Sequence, residues 1–452
     1  MRVCCGVKTL QVISRVFIYP VNTTAAVRWR AAQTRLFCSP PTGEEKPRPS
    51  MLRHLTSKIK ATGPIPVSEY MREVLTNPVT GYYVRNNMLG PDGDFITSPE
   101  ISQIFGELLG VWIISEWMGA GRPKQLQLVE LGPGKGSLAG DVLRVFSQLR
   151  SVLGEASVSL HLVEVSPALS RIQAQNLTGN RSQEADAEDE QVYRRGETAA
   201  GLPVSWYRCL DDVPTGFSIF LAHEFFDALP IHKFQRTQKG WREVMVDIDP
   251  EKEDQLRFVV APSPTLASST LVQAGERRDH VEVCAEGGVI IQQLARRIAE
   301  DGGAALIADY GHDGTKTDTF RGFKGHQLHD VLSSPGSADL TADVDFSYLR
   351  RMAGGGVACL GPVAQRTFLK NMGIDSRLQV LLRSCSDEST RKQLIGSYDM
   401  LTNPAKMGER FHFFSLLHHS RLAKPKKPEG LKLEKKSPAP LPVAGFTKLS
   451  FS

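Results

Sequence analysis

No stretch of this chain is both long and apolar enough to span a bilayer, and no two cysteines form a Cys-x-x-Cys pair. The run VISRVFIYPV is broken by Arg15 and Pro20, which also denies it the uninterrupted core of a secretory signal. Cys4, Cys5 and Cys38 lie near the start, and Cys209, Cys284, Cys359 and Cys385 are far apart, so neither a zinc knuckle nor a dithiol site is indicated. The last four read as reduced, mostly buried thiols. There is no His-Glu-x-x-His motif and no internal repeat.

Acid is missing at the start. Residues 1–43 hold six Lys or Arg and no Asp or Glu before Glu44, the pattern of a mitochondrial targeting peptide processed near residue 37. At the far end, residues 421–452 hold eight basic residues against Glu429 and Glu434 and read as a disordered tail. The body between them carries 40 basic and 47 acidic residues, a net of −7 inside a chain whose formal total is +5. A mildly acidic body argues against a nucleic-acid binder, which shows a basic face on its folded domain. The address expected is the mitochondrial matrix, without stable membrane insertion. The 452 residues suffice for two or three domains with sizeable cores.

What is present is most telling at residues 127–143, QLVELGPGKGSLAGDVL. An apolar strand carries Glu130 and runs into Gly132, Gly134 and Gly136 before a helix; glycines at alternate positions let a ligand approach the backbone. A second strand, LHLVEVS, delivers Glu164 at its carboxyl end, where an acid can chelate ribose hydroxyls. A glycine-rich turn alone is more often an ordinary strand-to-helix turn. Here the third position of the dinucleotide G-x-G-x-x-G pattern is Ser137, and an acid stands inside the first strand. Both features point away from a nicotinamide cofactor and toward S-adenosyl-L-methionine (SAM), whose amino group needs an anionic neighbour.

The remaining pattern is α/β. Residues 44–125 read as an N-terminal helical cap, with Ser68 capping a helix that ends at TNPVTGYY and an amphipathic helix over ISQIFGELLGVWIISEWMG. Residues 126–420 read as a SAM-dependent methyltransferase domain with two insertions. Alternation at about 231–262 marks an antiparallel β insertion, and 312–349 is a loop-rich stretch. EADAEDE, inside residues 178–200, reads as a solvated acidic loop. Strands FSIFLAH and AALIADYG deliver Glu224 with Asp227, then Asp309, to the same sheet edge. If the acceptor is an arginine, carboxylates suit it, because they bind a guanidinium bidentately; Glu224 and Asp227 are the candidates, with His223 assisting proton removal. Capping of the following turn is the structural alternative for these residues. His326, His329 and Asp330 have ligand-like spacing, but the His- and Asp-rich stretch reads better as a substrate loop or lid than as a metal site.

The blocks YMREVLTNPVTGYYV, GDFITSPEISQIFGELLG, VELGPGKGSL, HEFFDALPIHKF, ADYGH, HDVL-x-x-PG-x-ADLTADVDF and GPVAQRTFL resemble the MidA-like family of mitochondrial protein arginine methyltransferases, over roughly residues 50–420. The resemblance implies a seven-stranded SAM-dependent methyltransferase fold, a Rossmann-like sheet, with insertions. It also implies symmetric dimethylation of an arginine on a core matrix-arm subunit of NADH:ubiquinone oxidoreductase (complex I), early in assembly. Gly132, Gly134 and Gly136 match the family's SAM loop and Glu164 its ribose acid. Some members carry Asn at the position of His223, which counts against an acid–base role there. The competing expectations are a non-catalytic complex I assembly chaperone that kept the fold and, more weakly, a nicotinamide-dependent oxidoreductase.

Overall fold

The computed structural model describes residues 50–84, 97–185, 191–423 and 442–447. The expected targeting peptide of residues 1–43, most of the polar segment 85–100, the acidic residues 186–190 and most of the basic tail lie outside the described residues. Seven strands build the central sheet: β1 (Gln125–Leu131), β2 (Ser157–Val163), β3 (Pro203–Tyr207), β4 (Ser218–His223), β5 (Gly303–His312), β6 (Ala358–Ala364) and β7 (Phe411–Leu417). Their order is β3-β2-β1-β4-β5-β7-β6, and β7 alone among them runs opposite to the other six. This is the seven-stranded sheet expected from the sequence. Two short antiparallel strands, Val192–Glu197 and Ser182–Glu184, extend it beyond β3.

Parallel strands are covered on both faces and so are apolar in continuous runs. β4 shows this: all six of its residues are buried. Alternate residues feed opposite cores, Ile219 and Leu221 one and Phe220 and Ala222 the other. The first core is covered by α3 (Gln103–Gly119) and α4 (Ser137–Gln148), the second by α6 (Ala285–Asp301) and α7 (Phe346–Ala353). α5 (Pro167–Thr178), which follows β2, joins the first core beside α4 through Ala174 and Leu177.

The structure corrects several sequence expectations. α3 is not amphipathic: every residue from Ile104 to Met118 is buried. It lies in the main core, with the later helix Ile374–Ser384 packed beside it, so its two charges need internal partners. Arg377 donates to Glu107 at 2.9 and 3.2 Å, and Arg421 to Glu116 at 2.8 and 3.1 Å. The helix begun near Ser68 is α2 (Val67–Thr76), whose N-cap is Pro66; Ser68 lies inside it. Together with α1 (Met51–Thr62), α2 packs on the β insertion rather than on α3. That insertion supplies four strands, the last His280–Val283, of a five-stranded antiparallel sheet whose fifth strand is Ile65–Pro66 at its edge. Residues 312–349 are more regular than expected, with a three-stranded antiparallel sheet of Arg321–Lys324, Gln327–His329 and Asp339–Thr341. The tail is not disordered throughout. Val443 and Ala444 are buried in the main core and the Phe446 ring meets Phe368 edge-on, because this short apolar piece covers the end of the core.

Removing one partner of a buried ion pair strands the other charge, at a cost of about 3–5 kcal/mol. Arg377→Leu is therefore expected to lower unfolding stability by about that amount, and the double variant Glu107→Leu/Arg377→Leu to recover most of it. Urea unfolding of the three proteins decides; equal stability of the single and double variants would show that the pairing is not what holds this contact.

Candidate active site

The chain order of the sheet reverses between β1 and β4, and ligand clefts open at such switch points beyond the carboxyl ends of the strands. A cavity of about 220 Å³ lies there, lined by Glu130, Gly132, Gly134, Glu164, His223, Glu224 and Asp227 among others. A second, of about 830 Å³, adjoins it across Tyr83, Gly132, Glu164, Phe225 and Leu229. Seven of the eight residues expected from the sequence thus share one cavity. Gly136 does not line it; it is the left-handed N-cap of α4 (φ 78°), closed by its amide donating to the Pro133 carbonyl at 2.7 Å.

Gly132 and Gly134 also have positive φ, 62° and 54°, where a side chain is strained. A Cβ on Gly132 would lie 2.8 Å from the Phe225 ring. The loop is held from below by a residue the sequence did not single out. Gln173 of α5, fully buried, donates to the Gly134 carbonyl at 2.7 Å and to Glu164 Oε2 at 2.9 Å, and accepts from Trp206 Nε1 at 3.0 Å. Glu164 Oε1 accepts from the Ser166 amide at 2.7 Å. Glu130 is buried and its Oε2 has no hydrogen-bond partner. Burial pushes its carboxyl up to about 8 and that of Glu164 up to about 7.

Just past β4, Glu224 sits at φ 49°, a strained backbone for a side-chain-bearing residue. Asp309 makes that turn possible. Its Oδ2 accepts from the amides of Phe225, Phe226 and Asp227 at 3.2, 3.0 and 3.3 Å, and its Oδ1 from the Tyr310 amide at 3.0 Å. Asp309 is fully buried beneath the turn and does not line the cavity; burial pushes its carboxyl well up, against the pull of those amides. Asp227 Oδ2 accepts from Thr341 Oγ1 at 2.8 Å, while Oδ1 has no partner. Burial raises the carboxyls of Asp227 and, strongly, of Glu224. His223 Nε2 approaches Glu224 Oε1 to 3.3 Å but without hydrogen-bond geometry. Because burial lowers the imidazole to about 3, this is a neutral contact and not an ion pair.

The His- and Asp-rich stretch is used piecemeal. His329 Nε2 meets the Ser333 carbonyl at 3.0 Å, Asp330 accepts from the Leu332 and Ser333 amides, and Asp343 pairs with Arg321 and Lys316. Among the described residues no group of three or more His, Cys, Asp or Glu is placed to hold a metal, and no helix is long and apolar enough to cross a membrane.

Residues 108–363 match the family described as "Putative S-adenosyl-L-methionine-dependent methyltransferase". The chain belongs to this family. It is 70% identical over 400 residues to the mitochondrial protein arginine methyltransferase NDUFAF7 of Danio rerio, covering 88% of this chain and 93% of that one. Against the Homo sapiens protein of the same name the figures are 61% over 423 residues, 94% and 95%. Against the Drosophila melanogaster homolog they are 51% over 376 residues, 81% and 84%. The fold is similar to that of a Burkholderia thailandensis protein crystallised with S-adenosyl-homocysteine, at TM-score 0.66 and 24% identity over 81% of this chain and 92% of the other. The chain is thus a mitochondrial methyltransferase whose cofactor is SAM. Its cavity fits that cofactor: Glu130 offers an unpartnered buried carboxylate oxygen to a cation, and the left-handed glycines bring bare backbone alongside.

The raised carboxyls carry a pH signature. A folded-state value near 8 for Glu130, above the ordinary 4.5, means that folding stability declines as pH rises between those two values. Glu130→Gln is expected to make that decline shallower in the free protein while weakening SAM binding about ten-fold or more. Thermal melts across this pH range, beside calorimetric SAM titration, test both halves. An unchanged SAM affinity would remove Glu130 from the cofactor site.

Proposed function

We propose that this chain is a protein arginine N-methyltransferase of the mitochondrial matrix that symmetrically dimethylates an arginine on a core matrix-arm subunit of complex I, early in assembly. The arginine acceptor is supported by the names of the relatives and by one feature of the cavity. Among the described residues its lining holds six carboxyl side chains, Glu100, Glu130, Glu164, Glu224, Asp227 and Asp339, but one cationic side chain, Lys135, which stands 3.6 Å from Glu100. Buried carboxylates without cations in place are costly, and a cationic ligand relieves that cost. The complex I subunit and the symmetric product rest on the family resemblance.

SAM supplies a methyl group already activated on a sulfonium. The protein's part is to bind and align. Gly132, Gly134, Glu130 and Glu164 hold the cofactor, and Glu224 with Asp227 takes the N–H edge of the guanidinium so that one terminal nitrogen faces the methyl. As the new nitrogen–carbon bond forms and the carbon–sulfur bond breaks, that nitrogen sheds a proton. Glu224, ionised while it pairs with the guanidinium, is the acceptor of choice, since burial favours its protonated form. His223, whose imidazole burial holds near 3, does not carry the proton; its ring packs edge-on to Phe105 and backs Glu224.

Two variants separate the halves of this reading. Gly134→Val is expected to abolish SAM binding with the fold retained, and calorimetry showing wild-type affinity would refute the cofactor assignment. Glu224→Gln is expected to keep SAM binding and to slow methyl transfer roughly 100-fold. Rescue of complex I assembly in depleted cells by that inactive variant would instead make the chain an assembly chaperone.

A further inference from the structure

Asp339 belongs to no strand of the central sheet, yet it lines the same cavity as Glu224 and Asp227. It is delivered by the three-stranded sheet inserted after β5, on the strand Asp339–Thr341. Residues two apart on a strand share a face. Thr341, on the face of Asp339, donates to Asp227 Oδ2 at 2.8 Å, and the following amide, Ala342, donates to the Asp227 carbonyl at 3.0 Å. Leu340, on the other face, is buried among the apolar residues of α1 and α2. The insertion is thus registered against the Glu224–Asp227 turn, and that register carries Asp339 to the wall beside it. A second element fixes the carboxylate: the Tyr83 hydroxyl donates to Asp339 Oδ1 at 3.0 Å. Tyr83 is anchored in turn by its carbonyl, which accepts from Ser166 Oγ at 2.9 Å, two residues past Glu164.

We propose that Asp339, oriented by Tyr83, is a third acceptor-binding carboxylate, which takes the guanidinium edge that Glu224 and Asp227 leave open. The proposal rests on the arginine acceptor argued above and assigns the specificity for it. A guanidinium is planar and presents five N–H donors along more than one edge, so it can bridge carboxylates on two walls; an ammonium is a compact point donor. Holding both edges also suits a product methylated once on each terminal nitrogen, because after the first transfer the plane must be re-seated with the other nitrogen toward the cofactor. Tyr83 is a positioning residue and Asp339 a binding one.

The test is transfer of radiolabelled methyl from SAM to protein arginine in an extract of mitochondria lacking this enzyme, by the wild-type full chain, Asp339→Asn and Tyr83→Phe. Methylguanidinium serves as competitor and methylammonium as control. In wild type, methylguanidinium should inhibit labelling and methylammonium should not. In Asp339→Asn the half-saturating extract concentration and the methylguanidinium needed for inhibition should each rise about ten-fold or more, with S-adenosyl-homocysteine affinity within about two-fold of wild type by calorimetry. Tyr83→Phe should move the same two quantities by less. Labelling and inhibition unchanged in Asp339→Asn would overturn the inference and leave the arginine reading standing. Absence of arginine labelling by wild type would overturn both. Should Asp339→Asn lose S-adenosyl-homocysteine binding, Tyr83→Phe decides alone, and an unshifted methylguanidinium inhibition in it refutes the assignment.

Discussion

Acidic groups held out of water are the constraint on which the rest of this structure depends. Glu130, Glu164, Glu224 and Asp227 are each withdrawn from solvent at or just past the carboxyl ends of strands, and burial pushes all four carboxyls up. Groups in that condition weaken the free protein as pH rises through the neutral range, since the folded chain resists the ionisation that the unfolded chain undergoes freely. A cationic ligand reverses the balance. Its arrival restores the charged form of the acids, and the same interactions that oppose folding then drive binding. Stability has been set against recognition, and the scaffold must hold the acids apart and in place without neutralising them.

It does so with uncharged struts. Gln173 ties the glycine loop to Glu164 through an amide, which fixes both distances while adding no charge. Asp309 is the exception that shows the rule. It is an acid spent entirely on backbone amides, four of them, and it stabilises the strained turn at Glu224 so that the neighbouring carboxylates need not serve that purpose. Two other buried acids, Glu107 and Glu116, lie away from the cavity and are paired with arginines. Pairing with arginine is used for these two structural charges, whereas no ion pair with Lys or Arg is seen for Glu130, Glu164, Glu224 or Asp227 among the described residues.

This division explains what was legible in the sequence. The strands announced themselves because parallel strands covered on both faces are apolar throughout, and the acids at their ends stood out against that background. SIFLAH and LIADYG were readable for this reason. α3 misled because its two glutamates suggested a wet face, whereas their partners, Arg377 and Arg421, lie more than 250 residues away in the chain. Gln173 was invisible for a related reason: one glutamine in an ordinary helix carries no periodic signal, and its role exists only once α5 lies under the glycine loop. Asp309 was seen as a strand-end acid, but nothing local distinguishes an acid that faces a cleft from one that turns back to collect amides. The packed piece at 442–447 was lost within a basic, proline-rich composition, where Val443, Ala444 and Phe446 are too few to register.

The insertions follow from the same electrostatics. A seven-stranded sheet alone leaves the acceptor side open to water, and in water a carboxylate attracts a guanidinium only weakly. α2, Tyr83 and the small sheet ending at Thr341 close that side, and they are linked to one another through Tyr83 and Asp339 and to the sheet through Thr341 and Asp227. Tyr83 also reaches Ser166 on the cofactor side. One tyrosine therefore touches both halves of the cleft. The elements that keep water from the acids are thus the same ones that join the two halves of the cleft.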